Sequence, residues 1–119
     1  MTMDTQFVQE FAKEWNAAWN AHDLECVLAH YESDFELTSP MITRITGDPS
    51  GKLQGKKDIG DYWSQGLAKY PDLHFELLHA LSGPNSVALI YEGIAGVTLE
   101  VFQFSASGKV ASTSAYYNL

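Results

Sequence analysis

Phe7, Phe11, Trp15 and Trp19 recur every four residues, with Val8, Ala12 and Ala18 beside them and Gln9, Glu10, Lys13, Glu14 and Asn16 between. That period lays the large apolar side chains along one stripe of a helix and leaves its other faces polar. Asn20-Ala21-His22-Asp23 breaks the pattern. A second short amphipathic stretch then runs from Leu24 to Tyr31, with Asp23 placed to accept a free first-turn N–H. Two helices with this much aromatic area on one side need a broad apolar surface to cover. The chain beyond residue 34 reads as that surface.

Phe35 to Ser39 alternates and is stopped by Pro40, which predicts a first strand. Residues 41–55 carry the turn signal Thr46-Gly47-Asp48-Pro49-Ser50-Gly51, which predicts a small hairpin or a mobile loop over one end of the domain. Between Lys56 and Tyr70, helical spacing returns at Ile59, Tyr62, Trp63, Leu67 and Tyr70, despite Gly60 and Gly66. Leu73 to Leu81 alternates, with Leu73, Phe75, Leu77 and Leu81 on one face. Gly83-Pro84-Asn85 turns the chain into Val87 to Tyr91, apolar on both faces and therefore central. Gly96 opens Val97 to Ser105, and Ser107-Gly108 turns into Lys109 to Tyr117. Helices first and an antiparallel meander after them give an α+β domain, with three helices packed on one face of a curved, mostly antiparallel sheet.

The other sheet face is apolar as well, with Leu89 or Ile90, Leu99 and Val101 available. Three helices cannot cover both faces, so a homodimer through the sheet is expected. The 119 residues form one domain, 1–119, large enough for a core without metal or disulfide staples. A net charge of -8 argues against a nucleic-acid partner, because phosphate binding needs concentrated Lys and Arg. No apolar run approaches the ~20 residues of a membrane span. The first residues lack the basic-then-apolar layout of a secretory leader, so a cytoplasmic protein is expected. Cys26 is the single cysteine, expected as a buried structural thiol, and no Cys/His cluster has zinc spacing.

Phosphate loops, nucleophile elbows and dinucleotide fingerprints are absent, so any chemistry is expected to need no cofactor and no metal. Candidates are polar groups on apolar strand faces. Glu100 shares parity with Phe102 and Phe104, which points it at the helices. A carboxyl group among aromatic rings holds its proton tightly and serves as an acid or hydrogen-bond donor, unless a bulge or twist moves it to the rim or a cation pairs with it. His79 follows Leu73, Phe75 and Leu77 at the same parity and is the candidate base, or else a core histidine or one turned outward by a bulge. Trp15, Trp19, Tyr31, Tyr62 and Trp63 serve the core or wall a pocket, combining apolar area with a polar tip. The small residues Ala111-Ser112-Thr113-Ser114-Ala115 leave room for such a pocket.

Several stretches carry a resemblance: Trp15 to Leu24 (an aromatic, two alanines, then Asn-Ala-x-Asp-Leu), Tyr31 to Pro40, Gly55 to Ile59 and Tyr62-Trp63, followed by Pro71-Asp72-Leu73 and Phe102-Gln103-Phe104 with Gly108-Lys109-Val110. In this order the chain resembles the nuclear transport factor 2-like superfamily, nearest its SnoaL-like polyketide cyclase and ketosteroid isomerase branches. The resemblance implies a cone-shaped α+β barrel with an apolar cavity for a small hydrophobic molecule, and commonly a dimer through the sheet. Ketosteroid isomerases use a carboxylate base just before a proline at the end of the first strand, where this chain has Ser39 before Pro40. Their oxyanion site pairs a first-helix tyrosine with a protonated aspartate, where this chain has Trp15 and Glu100. The acid is kept in type and the base is lost, which argues against classical isomerase activity. Two functions follow as expectations. One is a cofactor-independent isomerase, cyclase or lyase, with Glu100 as acid, His79 as base, and Trp15, Trp19, Tyr31, Ser39, Tyr62, Trp63 and Phe102 around the substrate. The other is a non-catalytic ligand-binding or dimerisation module.

Overall fold

The first helix, α1 (Thr5–Asn20), follows the four-residue stripe: Val8, Phe11, Ala12, Trp15, Ala18 and Trp19 are its buried residues. Asp4 caps it, accepting from the Gln6 N–H at 3.2 Å. The computed structural model describes residues 3–119. The break after α1 is built by His22, in the left-handed region at φ 56°, and Asp23 caps α2 (Leu24–Leu28) by accepting from the Cys26 N–H at 3.1 Å. The second helix is therefore shorter than its sequence pattern, and Tyr31 opens a strand instead of closing the helix. The cause is tertiary. The Val110 N–H donates to the His30 carbonyl, and β1 (Tyr31–Thr38) pairs in parallel with the last strand from Tyr31 onward. Cys26 is exposed, contrary to the expectation of a buried thiol, because it lies on the solvent side of this short helix.

Residues 40–54 also depart from expectation. Pro40 ends β1 and at the same time begins a helix, α3 (Pro40–Thr46), because a proline lacking N–H is well suited to a first helical turn. Ser39 caps α3, its Oγ accepting from the Met41 N–H at 3.1 Å. Gly47, left-handed at φ 80°, stops it. The Asp48-Pro49-Ser50 turn then leads into β2 (Lys52–Gln54), which pairs antiparallel with β1. Neither a hairpin of its own nor a structureless loop forms. The helix α4 (Lys56–Lys69) follows as expected. Its Gly60 lies against α2, where an added Cβ would come within 3.3 Å of Leu28 Cδ1.

The strands β3 (Glu76–Gly83), β4 (Ser86–Gly93), β5 (Gly96–Phe104) and β6 (Val110–Tyr117) complete a six-stranded sheet in the order β2-β1-β6-β5-β4-β3. All pairs are antiparallel except β1 with β6. The fold is the expected cone of helices on a mostly antiparallel sheet, but the sheet stays open at β2 and β3 and does not close into a barrel. Asn20 fastens α1 to the segment before β3: its side chain accepts from the Phe75 N–H at 2.7 Å and donates to the Phe75 carbonyl at 3.0 Å.

One end of the space between helices and sheet is filled. There Phe11 meets Phe102 and Phe104 edge-on, with ring centroids 5.0 and 5.1 Å apart, and Phe7 adds a further edge contact to Phe104. The other end, walled by Trp15, Trp19 and Trp63, is open. The reverse face of the sheet carries Leu81, Ile90, Leu99, Val101 and Tyr116; Leu81 and Tyr116 are 51% and 56% exposed.

Candidate functional site

Strand register fixes which side chains share the inner face. Leu89 pairs with Glu100 and Glu100 with Ala115, so these three form one row across β4, β5 and β6. The next row towards the open end is Tyr91, Thr98 and Tyr117; the row on the filled side is Val87, Phe102 and Thr113. Thr38 pairs with Ser114, so Ser39, still extended, continues beside Ala115. Glu100 and Ser39 therefore flank Ala115 from the two neighbouring strands. Strands lie ~4.8 Å apart, and the methyl group of Ala115 leaves the gap between its neighbours unfilled.

That gap belongs to a cavity of about 270 Å³. Its walls are aromatic (Trp15, Trp19, Trp63, Phe75 and Tyr91 among them), with Met41, Ile45 and Ile94 at its mouth. Glu100 is only 5% exposed. The Tyr91 hydroxyl donates to its Oε1 at 3.0 Å and the Thr113 hydroxyl to its Oε2 at 2.8 Å. Burial pushes the Glu100 carboxyl above the usual glutamate range, and these two hydrogen bonds offset only part of the shift. Among the described residues, ion pairs join Lys52 to Glu36 and Lys57 to Asp61 on the surface, far from cavity chemistry, and none reaches Glu100. Burial and the neighbouring Glu100 also hold the Tyr31 and Tyr91 hydroxyls well above the usual tyrosine range, so both stay protonated.

Six of the residues singled out from sequence meet at this cavity: Glu100, Trp15, Trp19, Ser39, Tyr62 and Trp63. Three do not. Tyr31 sits fully buried behind the wall, accepting from the Trp15 indole N–H at 3.1 Å and packed on Phe35. Phe102 lies beneath the cavity in the filled end, 5.5 Å from the Trp15 ring. His79 is exposed on the reverse face. Its parity was misjudged because β3 carries a bulge: Leu77 pairs with Tyr91 but His79, not Leu78, pairs with Ile90. The extra residue exchanges the faces, so Leu77 and Ala80 point inward and His79 outward. The structure thus removes the candidate base from the site.

Tyr91 and Tyr117 line the cavity although sequence reasoning passed over them, and Thr113, noted there only among small residues that leave room, holds Glu100. A signal for Tyr91 was present. Treating Ile94-Ala95 as a two-residue hairpin connection pairs Gly93 with Gly96 and thereby sets Tyr91 beside Thr98 and Leu89 beside Glu100. Tyr117 closes the open row of the inner face; burial and the nearby Glu100 push its hydroxyl up to about 12, with Ser39 drawing it part of the way back. Among the described residues, no group of three or more His, Cys, Asp or Glu is gathered to hold a metal ion.

Comparison with known proteins agrees with this architecture. A SnoaL-like protein of unknown function from Burkholderia thailandensis is 46% identical over 100% of both chains, with a TM-score of 0.97. A nuclear transport factor 2-like protein of unknown function from Burkholderia xenovorans shares the fold at 18% identity, with a TM-score of 0.74 over 94% of this chain and 83% of that one. So does a protein of ketosteroid isomerase-like fold from Catenulispora acidiphila, determined in complex with trimethylamine, at 18% identity and a TM-score of 0.72 over 92% and 86% of the two chains. Functionally curated proteins give no match. The SnoaL-like domain profile matches residues 12–113, from the α1 stripe to the Thr113 that holds Glu100, and the chain belongs to that family.

Proposed function

We propose that the protein binds a small, largely apolar ring compound in its cavity and that Glu100 offers that compound a proton. The observation that carries this reading is a carboxyl group buried among aromatic rings, held by two hydroxyl donors and by no cation. A protonated Glu100 donates to a carbonyl oxygen of the ligand. In isomerisation, ring closure or elimination, negative charge builds on that oxygen, and a preplaced donor in a dry site strengthens its bond as the charge grows. On this reading Glu100 is the catalytic acid of a cofactor-independent isomerase, cyclase or lyase, and Trp15, Trp19, Ser39, Tyr62 and Trp63 shape the site.

A specific observation also favours a ligand-binding protein without turnover. The Ser39 oxygen is engaged in capping α3, and His79 faces away, so no second group stands ready as a base. Glu100→Gln separates the two readings. With ring ketones, enones and polyketide-like compounds as probes, an enzyme loses turnover in this variant while keeping its fold. A binding module shows affinity without conversion in both proteins. A Glu100 titration at or below the ~4.3 of free glutamate removes the basis for the catalytic reading and leaves the binding module.

The reverse face of the sheet supports a homodimer, since exposed Leu81 and Tyr116 and half-buried Ile90, Leu99 and Val101 form an apolar surface there. Light scattering at micromolar concentration should return twice the 13.2 kDa chain mass; the monomer mass would refute it. An exposed lone thiol at Cys26 fits a reducing compartment such as the cytoplasm.

A further inference from the structure

The polar groups of the cavity are not confined to Glu100. Tyr117 and Glu100 lie on the same inner face as diagonal neighbours, because Glu100 pairs with Ala115 and Thr98 with Tyr117. Such diagonal positions on adjacent strands are ~7–8 Å apart. Ala115 lies between Glu100 and Ser39 and contributes only a methyl group, so a flat molecule can rest on it. The Tyr91 hydroxyl is already given to Glu100, and the Ser39 oxygen already accepts from Met41. The Tyr117 hydroxyl lines the cavity with the Ser39 hydroxyl as its hydrogen-bonding neighbour, which acts on the tyrosine oxygen and leaves its O–H to turn to a ligand.

We infer that Tyr117 is a second ligand-recognition residue, and that the cavity selects a compact molecule of one or two rings bearing two oxygen functions, one met by Glu100 and one by Tyr117. The size follows from the volume. About 270 Å³ is just under the ~300–1,000 Å³ usual for small-molecule sites, which suits a bicyclic compound better than a four-ring one. The charge follows from the lining. Among the described residues that line the cavity, the one cationic side chain is the exposed Lys69, so an anionic group at depth would face Glu100 with no counter-charge. The inference rests on the cavity being a ligand site, and its test separates the two claims.

All three tryptophans of the protein line the cavity, so their fluorescence reports its occupancy directly. Ring-hydroxylated α-tetralones and the parent α-tetralone would be titrated against the wild-type protein, Tyr117→Phe and Ala115→Leu. At least one hydroxylated isomer should bind about fivefold to tenfold more tightly than the parent, the worth of one hydrogen bond. Tyr117→Phe keeps the ring and should erase that advantage, bringing the hydroxylated isomer and the parent to equal affinity. Ala115→Leu should abolish binding of both. If the parent binds and hydroxylation brings no gain, or if Tyr117→Phe weakens both alike, the role of Tyr117 is refuted and the cavity reading stands. If neither compound binds, both fail. Binding of tetramethylammonium that is lost in Glu100→Gln would overturn the uncharged ligand class. Unchanged circular dichroism of each variant confirms that the fold is kept.

Discussion

The two ends of the space between α1 and the sheet use the same sequence devices to opposite effect. Both are walled by the same helical stripe and by alternate residues of β5. At one end Phe7 and Phe11 meet Phe102 and Phe104, ring edge against ring. At the other, Trp15 and Trp19 are opposed by Thr98 and Glu100, and beyond these by Ala115 and Tyr117. One step of two residues along β5, from Phe102 to Glu100, converts packed core into cavity wall. The difference lies in side-chain size and polarity at matching register, while the backbone continues unchanged. A site can thus be opened inside a small domain by withholding bulk from a few positions.

Substitutions at the two ends should therefore fail in different ways. The largest effect is expected at the filled end. Phe102→Ala, at a fully buried ring, should cost about 3–5 kcal/mol in chemical denaturation, as large-to-small core changes do. Asn20→Ala comes next. It removes both bonds to the Phe75 main chain and should cost about 2 kcal/mol, with loosening of the open end visible as faster amide exchange around Phe75. A smaller effect, and one dependent on pH, belongs to Glu100. Its folded pKa is raised above the unfolded value, so between the two the folded state holds more protons. Its contribution is therefore complete below ~4.3 and is lost as pH rises through the folded value, a slope that Glu100→Gln should flatten in melting curves taken across that window. Smallest of all, Ala115→Leu at the open end should change stability by less than about 1 kcal/mol, because it fills space instead of displacing packed atoms. If Ala115→Leu proves as damaging as Phe102→Ala, the contrast between the ends is false.

The α1 stripe, α4, the meander and the inward face of Glu100 were legible from periodicity, because each rests on a run long enough to fix its phase. What was not legible depended on partners distant in the chain. Tyr31 joins a strand because Val110 is there to pair with it. Pro40 stops the strand, as its sequence position implies, but its second role as the first residue of a helix needs the cap supplied by Ser39. His79 was placed inward by counting in twos, and a single extra residue at Leu78 reversed the count. Alternation assumes an unbroken ladder, and nothing local to β3 announces the bulge.

Ser39 is bound into the fold by a task that has nothing to do with ligands: it holds the first turn of α3. Serine and aspartate perform that task almost equally well. Ser39→Asp would therefore keep the cap of α3 while setting a second carboxyl group across Ala115 from Glu100. The cap would survive the exchange, but the new carboxyl would be buried at a position only 4% exposed and would face Glu100 across one methyl group, so one of the two acids would be held protonated and a proton acceptor gained there would carry a cost in stability.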